Sequence, residues 1–559
     1  MNKYPQIYPD LKEWPIYQYA KQRAEFVNAL RTQARIKVLL KHENSLAELI
    51  QKAAYMEKMR LKNNPWKVDP ASEAVFWKKV ESEILEALKM DSETRQYLSL
   101  QILDRIIHRY AEEIVSDFKI STYKLARKVL TKFFKGLYNS ISDYRFFLLD
   151  SPSSRIENRV RFSGEFDRVY KMFNKGIVVF LPTHFSHLDS ILVGYISDRK
   201  GGLPAFLYGA GLNLYDSEIF AYFMNRLGTY RVDRRKKNAI YQETLKCTSN
   251  LAIQWGVNSL FFPGGTRSRS GKIEEKLKYG LLHSLVEAQR EMYEQGRDTK
   301  IIVVPIVTNY HFVFEAGQLI RQHLRRSGAE RSIGKKSGMS SLRNIIRFLG
   351  RIMRKRSEAS LSFGTPIDVM GNVLNDDMES LDDKGNIVNL AEYYYSNNVI
   401  TYDDQRERVY TRQLAERITG IYHQYMEVMT SHLVSHAAFS FLLKSYPSYD
   451  IFDIIKLDKK VLQFDESVLL EVIRSYVDQI KQLHNRGDIL MAPELEFPVS
   501  ELFNNGLYHL GIYHMDRPLR RNRRGEIVSD DLRKLYYYYN RLEFLELNEE
   551  INWADLLNR

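Results

Sequence analysis

The chain has 559 residues, 44% of them apolar, and a formal charge of +13 with an isoelectric point near 9.3. That length leaves room for about two to four domains with sizeable cores, and the charge points to an anionic partner: nucleic acid, a membrane surface or a phosphorylated substrate. The single cysteine, Cys247, excludes an intrachain disulfide framework and a cysteine-rich zinc site. No stretch approaches the roughly 20 apolar residues of a spanning helix, and the first ten residues lack the apolar core of a signal peptide.

Residues 1–150 read as helical. Leu125, Val129, Leu130, Phe133, Phe134 and Leu137 recur at helical spacing, with Lys124, Arg127, Lys128, Lys132 and Lys135 between them, the pattern of a packed helix with a solvated basic face. Ser151-Pro-Ser-Ser154 reads as a linker. Over 151–375 short apolar runs alternate with helical segments: strands are expected at 177–181, 205–208, 259–262, 301–307 and 359–363, and helices at 217–227, 239–255 and 274–294. This alternation predicts an α/β fold, a mostly parallel sheet flanked by helices. Residues 376–559 return to helix, expected at 405–446, 467–483 and 532–547. There is no repeat of fixed period.

The apolar run ending at Leu181-Pro182 delivers His184 and, five positions on, Asp189 to a strand end, where α/β folds build sites. If the side chains meet, the carboxylate sets the imidazole tautomer and frees the other nitrogen to act as a base. Other readings of these residues are a structural histidine, a metal site from His184, His187 and Asp189, or a nucleophilic Ser186 or Ser190, although neither serine sits in a Gly-x-Ser-x-Gly elbow.

A second strand end leads into Gly264-Gly265-Thr266-Arg267-Ser268-Arg269-Ser-Gly-Lys272. Paired glycines let backbone approach an anion, Thr266 and Ser268 offer hydroxyls, and Arg267, Arg269 and Lys272 supply charge that matches phosphate oxygens. A helix after the loop would add N-terminal amides. The spacing is not that of a Walker A loop, and a solvated basic turn is the plain alternative. Two more segments accompany these: Gly211-Leu-Asn213 with the later Gly228 and Val232-Asp233-Arg234-Arg235, and Val304-Pro305 in an apolar run.

In this order, the His184-x-x-x-x-Asp189 spacing, the Gly211 to Arg234 segment, the Gly265-Thr-Arg267-Ser-Arg269 loop and the Val304-Pro305 strand resemble the four blocks of the glycerolipid acyltransferases. The long helical N-terminus and the later Ser341–Asn344, 362–366 and 431–439 segments resemble the large bacterial glycerol-3-phosphate acyltransferases. The resemblance covers roughly residues 160–445. It implies that His184 is the general base, oriented by Asp189, and that Arg267 and Arg269, with Arg234, hold an acceptor phosphate beside Gly265, Thr266 and Ser268. It further implies acyl transfer from acyl-CoA or acyl-carrier protein to glycerol 3-phosphate, the first step of phospholipid synthesis, with no cofactor or metal. Two departures bear on the acceptor. The family carries a glutamate where this chain has Gly264, and Val232-Asp233-Arg234 is closer to the lysophosphatidate acyltransferases, which are the alternative.

Residues 342–355 read as a basic amphipathic helix, with Leu342, Ile345, Ile346, Leu349, Ile352 and Met353 on one face and Arg343, Arg347, Arg351 and Arg354 on another. Such a helix suits an anionic membrane surface, which with the family resemblance implies a peripheral protein on the cytoplasmic face. A nucleic-acid-binding protein using the basic segments is a different class, but no recognition motif for nucleic acid is present. A scaffold built on an inactive acyltransferase fold is the other alternative, motivated by Gly264.

Overall fold

The computed structural model describes residues 4–66, 69–70, 72–138, 159–212, 218–326, 358–458 and 462–558. The N-terminal region is helical: α1 Pro15–Lys21, α2 Arg23–His42, α3 Leu46–Asn63, α4 Ser72–Ala87, α5 Ser92–Ile114 and α6 Ile120–Tyr138. The basic amphipathic segment 342–355, the 151–154 linker and Asn213 lie outside the described residues.

The central sheet contains β1 Val160–Gly164, β2 Ile177–Pro182, β3 Leu207–Gly211, β4 Thr229–Val232, β5 Ser259–Leu260, β6 Ile301–Tyr310 and β7 Ala359–Phe363, in the order β1-β7-β6-β2-β5-β3-β4. Strands β6, β2, β5, β3 and β4 are parallel, whereas β7 runs antiparallel to β6 and carries β1 parallel to itself. The helices following β1 to β6 are α7 Phe166–Met172, α8 Leu188–Arg199, α9 Glu218–Arg226, α10 Ala239–Gln254, α11 Tyr279–Glu294 and α12 Ala316–Arg326. Every residue of β2 and β6 is buried, as expected where helices cover both faces of a parallel sheet. The fold is the α/β class expected from the alternating pattern.

Tertiary contacts redraw several elements. The strand expected at 205–208 lies at Leu207–Gly211, and β1 and β4, which were not anticipated, extend the sheet at its two edges. The helix expected from 274 begins at Tyr279, because the residues before it form a loop that turns the Glu274 carboxyl inward to accept the His184 N–H at 2.7 Å. The long helix expected at 405–446 is two: α13 Asp404–Gln424 and α14 Thr430–Ser445, separated by a two-residue strand Glu427–Val428. Buried Glu427 explains the break, since its carboxylate pairs with Arg161 on β1 and accepts from Ser360 Oγ on β7 at 2.6 Å. Beyond it come α15 Glu466–Asn485, α16 Val499–His509 and α17 Leu532–Tyr539, the last ending well short of the expected 547.

Helix α10 lies between α11 and the N-terminal α2 and α5. Its Ile240, Tyr241, Cys247 and Ala252 share a core with Phe26, Leu30, Leu103 and Tyr110. A buried ion network closes this junction. Arg60 reaches Glu57 at 2.7 Å, Asp69 at 3.0 Å and Glu73 at 3.1 Å. Arg235 reaches Asp69 and Asp233 at 2.7 Å, and Lys236 reaches Glu113 at 2.5 Å. The basic run after β4 is thereby divided: Arg235 and Lys236 are tied to the N-terminal helices. Gly228 belongs to the same junction, since a Cβ there would lie 2.1 Å from Ile16.

Removing Arg60 leaves the buried Glu57 carboxylate without its salt-bridge partner, whereas Asp69 keeps Arg235 and Glu73 keeps Arg109, so Arg60→Ala is expected to lower stability by about 3–5 kcal/mol, read from urea unfolding. A second expectation concerns pH. Burial holds His432 and His514 down to about 3 and His436 to about 4. Each folded value lies below the unfolded one near 6.5, so the unfolded chain binds the extra proton. The stabilisation is complete above about pH 6.5 and falls as pH drops towards the folded values, by up to about 1.4 kcal/mol per pH unit for each histidine. Urea midpoints should therefore decrease from pH 6.5 to 5, with a shallower slope in His436→Asn; an unchanged slope in that variant would contradict the assignment.

Candidate active site

The parallel strands β2, β3, β4, β5 and β6 all present their C-terminal ends at one edge of the sheet, and each contributes to a single cavity of about 530 Å³ or to its wall. His184 and His187 follow β2, Gly211 ends β3, Arg234 follows β4, and Phe262 to Arg269 follow β5. After β6 comes Glu315, which braces the wall from behind.

His184 and Asp189 meet. Nδ1 of His184 lies 2.9 Å from Oδ2 of Asp189, a carboxylate 0% exposed. An ionised carboxylate only accepts, so Nδ1 carries the proton and Nε2 keeps its lone pair. The same Oδ2 accepts the backbone N–H groups of Phe185 at 2.6 Å and Ser186 at 2.8 Å, which locks the carboxylate at the start of α8. The imidazole stacks on Phe262, with ring centroids 4.2 Å apart. A tautomer-fixed, partly exposed imidazole on a cavity is the arrangement a general base requires.

The peptide of His184 is also held on both sides. Its carbonyl accepts from Ser268 N–H at 2.7 Å, and its N–H donates to Glu274 Oε1 at 2.7 Å. Ser268 Oγ donates to the Lys272 carbonyl at 2.8 Å and accepts from Gly271 N–H at 3.1 Å, so this hydroxyl is engaged within the loop. Gly265 has φ +73°, a left-handed conformation that side chains rarely adopt, and its N–H closes a turn on the Phe262 carbonyl at 3.0 Å.

Gly265, Thr266, Arg267, Arg269 and Arg234 all line the cavity. Burial, together with the charges of Arg326, Arg267 and Arg234, holds the Arg269 guanidinium below its ordinary range. Arg326, at the end of α12, does not line this cavity but joins Thr266, Arg267 and Arg269 around an adjoining pocket, so a fourth cation faces the loop. Mutual repulsion of this kind is relieved by a bound anion. Arg267 has an additional partner, Glu315 Oε1 at 3.1 Å. Glu315 also accepts from Ser186 Oγ at 3.0 Å and His187 N–H at 3.1 Å, joining the arginine loop to the base-bearing loop. Burial and the Arg267 charge push His187 down, favouring its neutral form. The N-terminal turn of α11 also reaches the cavity through Gly280 and Leu281, with Lys278 beside it.

Behind His184 lie two titratable groups from outside the motifs. Burial holds the Glu274 carboxyl up to about 8 and pushes Arg541 down to about 10. Arg541 stacks over the Phe185 ring at 3.4 Å from its centroid. Glu274 fell in a stretch read as helix, and no local pattern distinguishes Arg541 from other surface-like arginines. The metal reading of His184, His187 and Asp189 is not favoured by the geometry: among the described residues, the trio placed to share an ion is His283, Glu287 and Glu407, outside this cavity.

A second, apolar cavity of about 300 Å³ adjoins the first, with Ser190 and Tyr208 common to both. Val129 and Leu130 of α6, Ile191 of α8, Phe206, Met224 and Leu260 supply its walls.

Residues 159–309 match the family model described as Acyltransferase. Among curated proteins, the chain is similar to glycerol-3-phosphate acyltransferases of Baumannia cicadellinicola (26% identical over 307 residues, 53% of this chain and 32% of the relative), Aeromonas hydrophila (24% over 315 residues, 56% and 34%) and Haemophilus ducreyi (24% over 303 residues, 54% and 33%). The matched part of the chain spans about a third of the length of these relatives. The matched domain, which carries the His184–Asp189 pair and the arginine loop, is thus similar to acyltransferase domains.

Proposed function

We propose that this protein is an O-acyltransferase that moves an acyl group from a thioester to a hydroxyl of glycerol 3-phosphate, an opening step of phospholipid synthesis. The observation that carries this reading is one cavity holding both a tautomer-fixed imidazole and a convergent arginine cluster, with an apolar cavity adjoining it. In this scheme Arg234, Arg267 and Arg269 bind the acceptor phosphate and so bring a hydroxyl to His184 Nε2, which reduces the entropic cost of the encounter. His184 takes the hydroxyl proton as the oxygen attacks the thioester carbonyl. A C–O bond forms, the C–S bond breaks, and the imidazolium returns the proton to the departing thiolate. Asp189 stabilises the imidazolium while it exists. The acyl chain occupies the apolar cavity.

The donor is acyl-CoA or acyl-carrier protein. We place the enzyme at the surface of an anionic bilayer, on its cytoplasmic face. No described helix is long and apolar enough to cross a membrane. On α6, exposed Leu125 and Val129 lie among exposed Lys124, Lys128 and Lys132, and Val129 also lines the apolar cavity. Apolar groups ringed by lysines beside an acyl-sized cavity suit delivery of product to anionic lipid.

Purified protein assayed with both donors against glycerol 3-phosphate, lysophosphatidate and dihydroxyacetone phosphate should turn over glycerol 3-phosphate; turnover with lysophosphatidate alone would transfer the assignment to the alternative acceptor. His184→Ala should reduce kcat by about 10²–10⁴ while leaving the circular dichroism spectrum intact. Arg269→Ala removes a charge-assisted contact worth roughly 1.5–3 kcal/mol and should raise the acceptor KM by about 10- to 100-fold with a smaller change in kcat. An unchanged acceptor KM would place the cluster at the donor or the bilayer.

A further inference from the structure

Gly264 stands directly before the Gly265-Thr-Arg267 turn, and it has no side chain to contribute to the site. A Cβ built there would lie 2.9 Å from Cγ and 3.0 Å from Oε1 of Glu274. The space that a side chain at 264 would enter is therefore already filled by a carboxyl from ten residues downstream. That carboxyl is buried, Oε1 receives the His184 backbone N–H at 2.7 Å, and Oε2 lies buried with no hydrogen-bond partner. Asp189 and Arg541 are its charged neighbours.

We propose that Glu274 is a positioning residue for the base, holding the His184 peptide from the N–H side while Ser268 holds it from the carbonyl side, and that glycine at 264 is required to leave room for it. This rests on the reading of His184 as the base. Glu274 touches neither reacting atom. It acts through the backbone of His184, fixing where the imidazole stands relative to Asp189 and to the arginine loop that supplies Ser268. A backbone N–H deprived of its acceptor in this buried setting lets the loop shift, and a misplacement of about 1 Å at a reacting group can reduce turnover about 100-fold. Glutamine keeps a carbonyl oxygen in the same place and alanine does not, so the two substitutions separate hydrogen bonding from mere bulk. A methyl at 264 should have the same effect as removing the carboxyl, because it pushes Glu274 aside.

The test compares Glu274→Ala, Glu274→Gln, Gly264→Ala and the double variant Gly264→Ala/Glu274→Ala. Steady-state kinetics is run alongside thermal melts and ¹⁵N-histidine spectra, with the His184 signals assigned by their loss in His184→Ala. Glu274→Ala and Gly264→Ala should each lower kcat by about 10- to 100-fold with acceptor KM within a few-fold. Both should blur the Nδ1–H tautomer signature of His184. Glu274→Gln should stay within a few-fold of the unsubstituted protein, and the double variant should be no worse than either single one, because both remove the same contact. Wild-type kcat in Glu274→Ala, equal losses in the Ala and Gln variants, or fully multiplicative losses in the double variant would each overturn the proposal. If the unsubstituted protein shows no turnover, the acyltransferase reading fails on its own. The histidine spectra then still decide the role of Glu274: a changed tautomer signature in Glu274→Ala but not in Glu274→Gln supports it, and an unchanged one rejects it.

Discussion

The hydrogen bond between His184 Nδ1 and Asp189 Oδ2 is the constraint on which the site depends. A base needs one nitrogen with a free lone pair, and only a buried acceptor on the other nitrogen secures that. Asp189 can serve because it is itself immobilised: Oδ2 accepts two backbone N–H groups at the start of α8 besides the imidazole. The loop that supplies those amides follows a strand with every residue buried. The site is therefore anchored on a fully buried strand of the sheet.

The arginine-lined face of the cavity is built on the same frame. Its arginines come from loops after β4 and β5, with Arg326 at the end of α12 facing the second loop, and they converge because these elements share one edge of a parallel sheet. The concentration of positive charge would be costly in isolation. Glu315 offsets part of it through Arg267 and, by accepting from Ser186 and His187, transmits the position of the arginine loop to the base-bearing loop. The His184 loop and the arginine loop are two sides of a single hydrogen-bonded unit.

The regions flanking the sheet do more than enclose it. The N-terminal helices hold Arg235 and Lys236 in a buried network, so the basic run after β4 divides into structural cations and Arg234 on the cavity. From the other end of the chain, Arg541 packs on Phe185, between His184 and Ser186, and Tyr422 donates to the Leu181 carbonyl at 2.9 Å. The floor of the site thus joins positions far apart in sequence, Phe185 with Arg541 and Leu181 with Tyr422.

Local pattern alone determined the α/β class, the strand ends carrying His184 and the arginine loop, and the spacing that allows His184 to meet Asp189. Each depends on burial periodicity or on spacing within a few residues, which the chain displays directly. Tertiary structure decided what those patterns could not encode. Strands β1 and β4 have mixed or short apolar runs and exist because neighbours pair with them. Helix α11 starts late because the Glu274 carboxyl is drawn to the His184 amide, and the long helix near 425 breaks because Glu427 is drawn to Arg161. Glu315, Arg326 and Arg541 join the site through folding alone, since their roles are defined by partners distant in sequence. Gly264 illustrates the division most plainly: in sequence it is a missing side chain, and in three dimensions it is the space that the Glu274 carboxyl occupies as it reaches the His184 N–H.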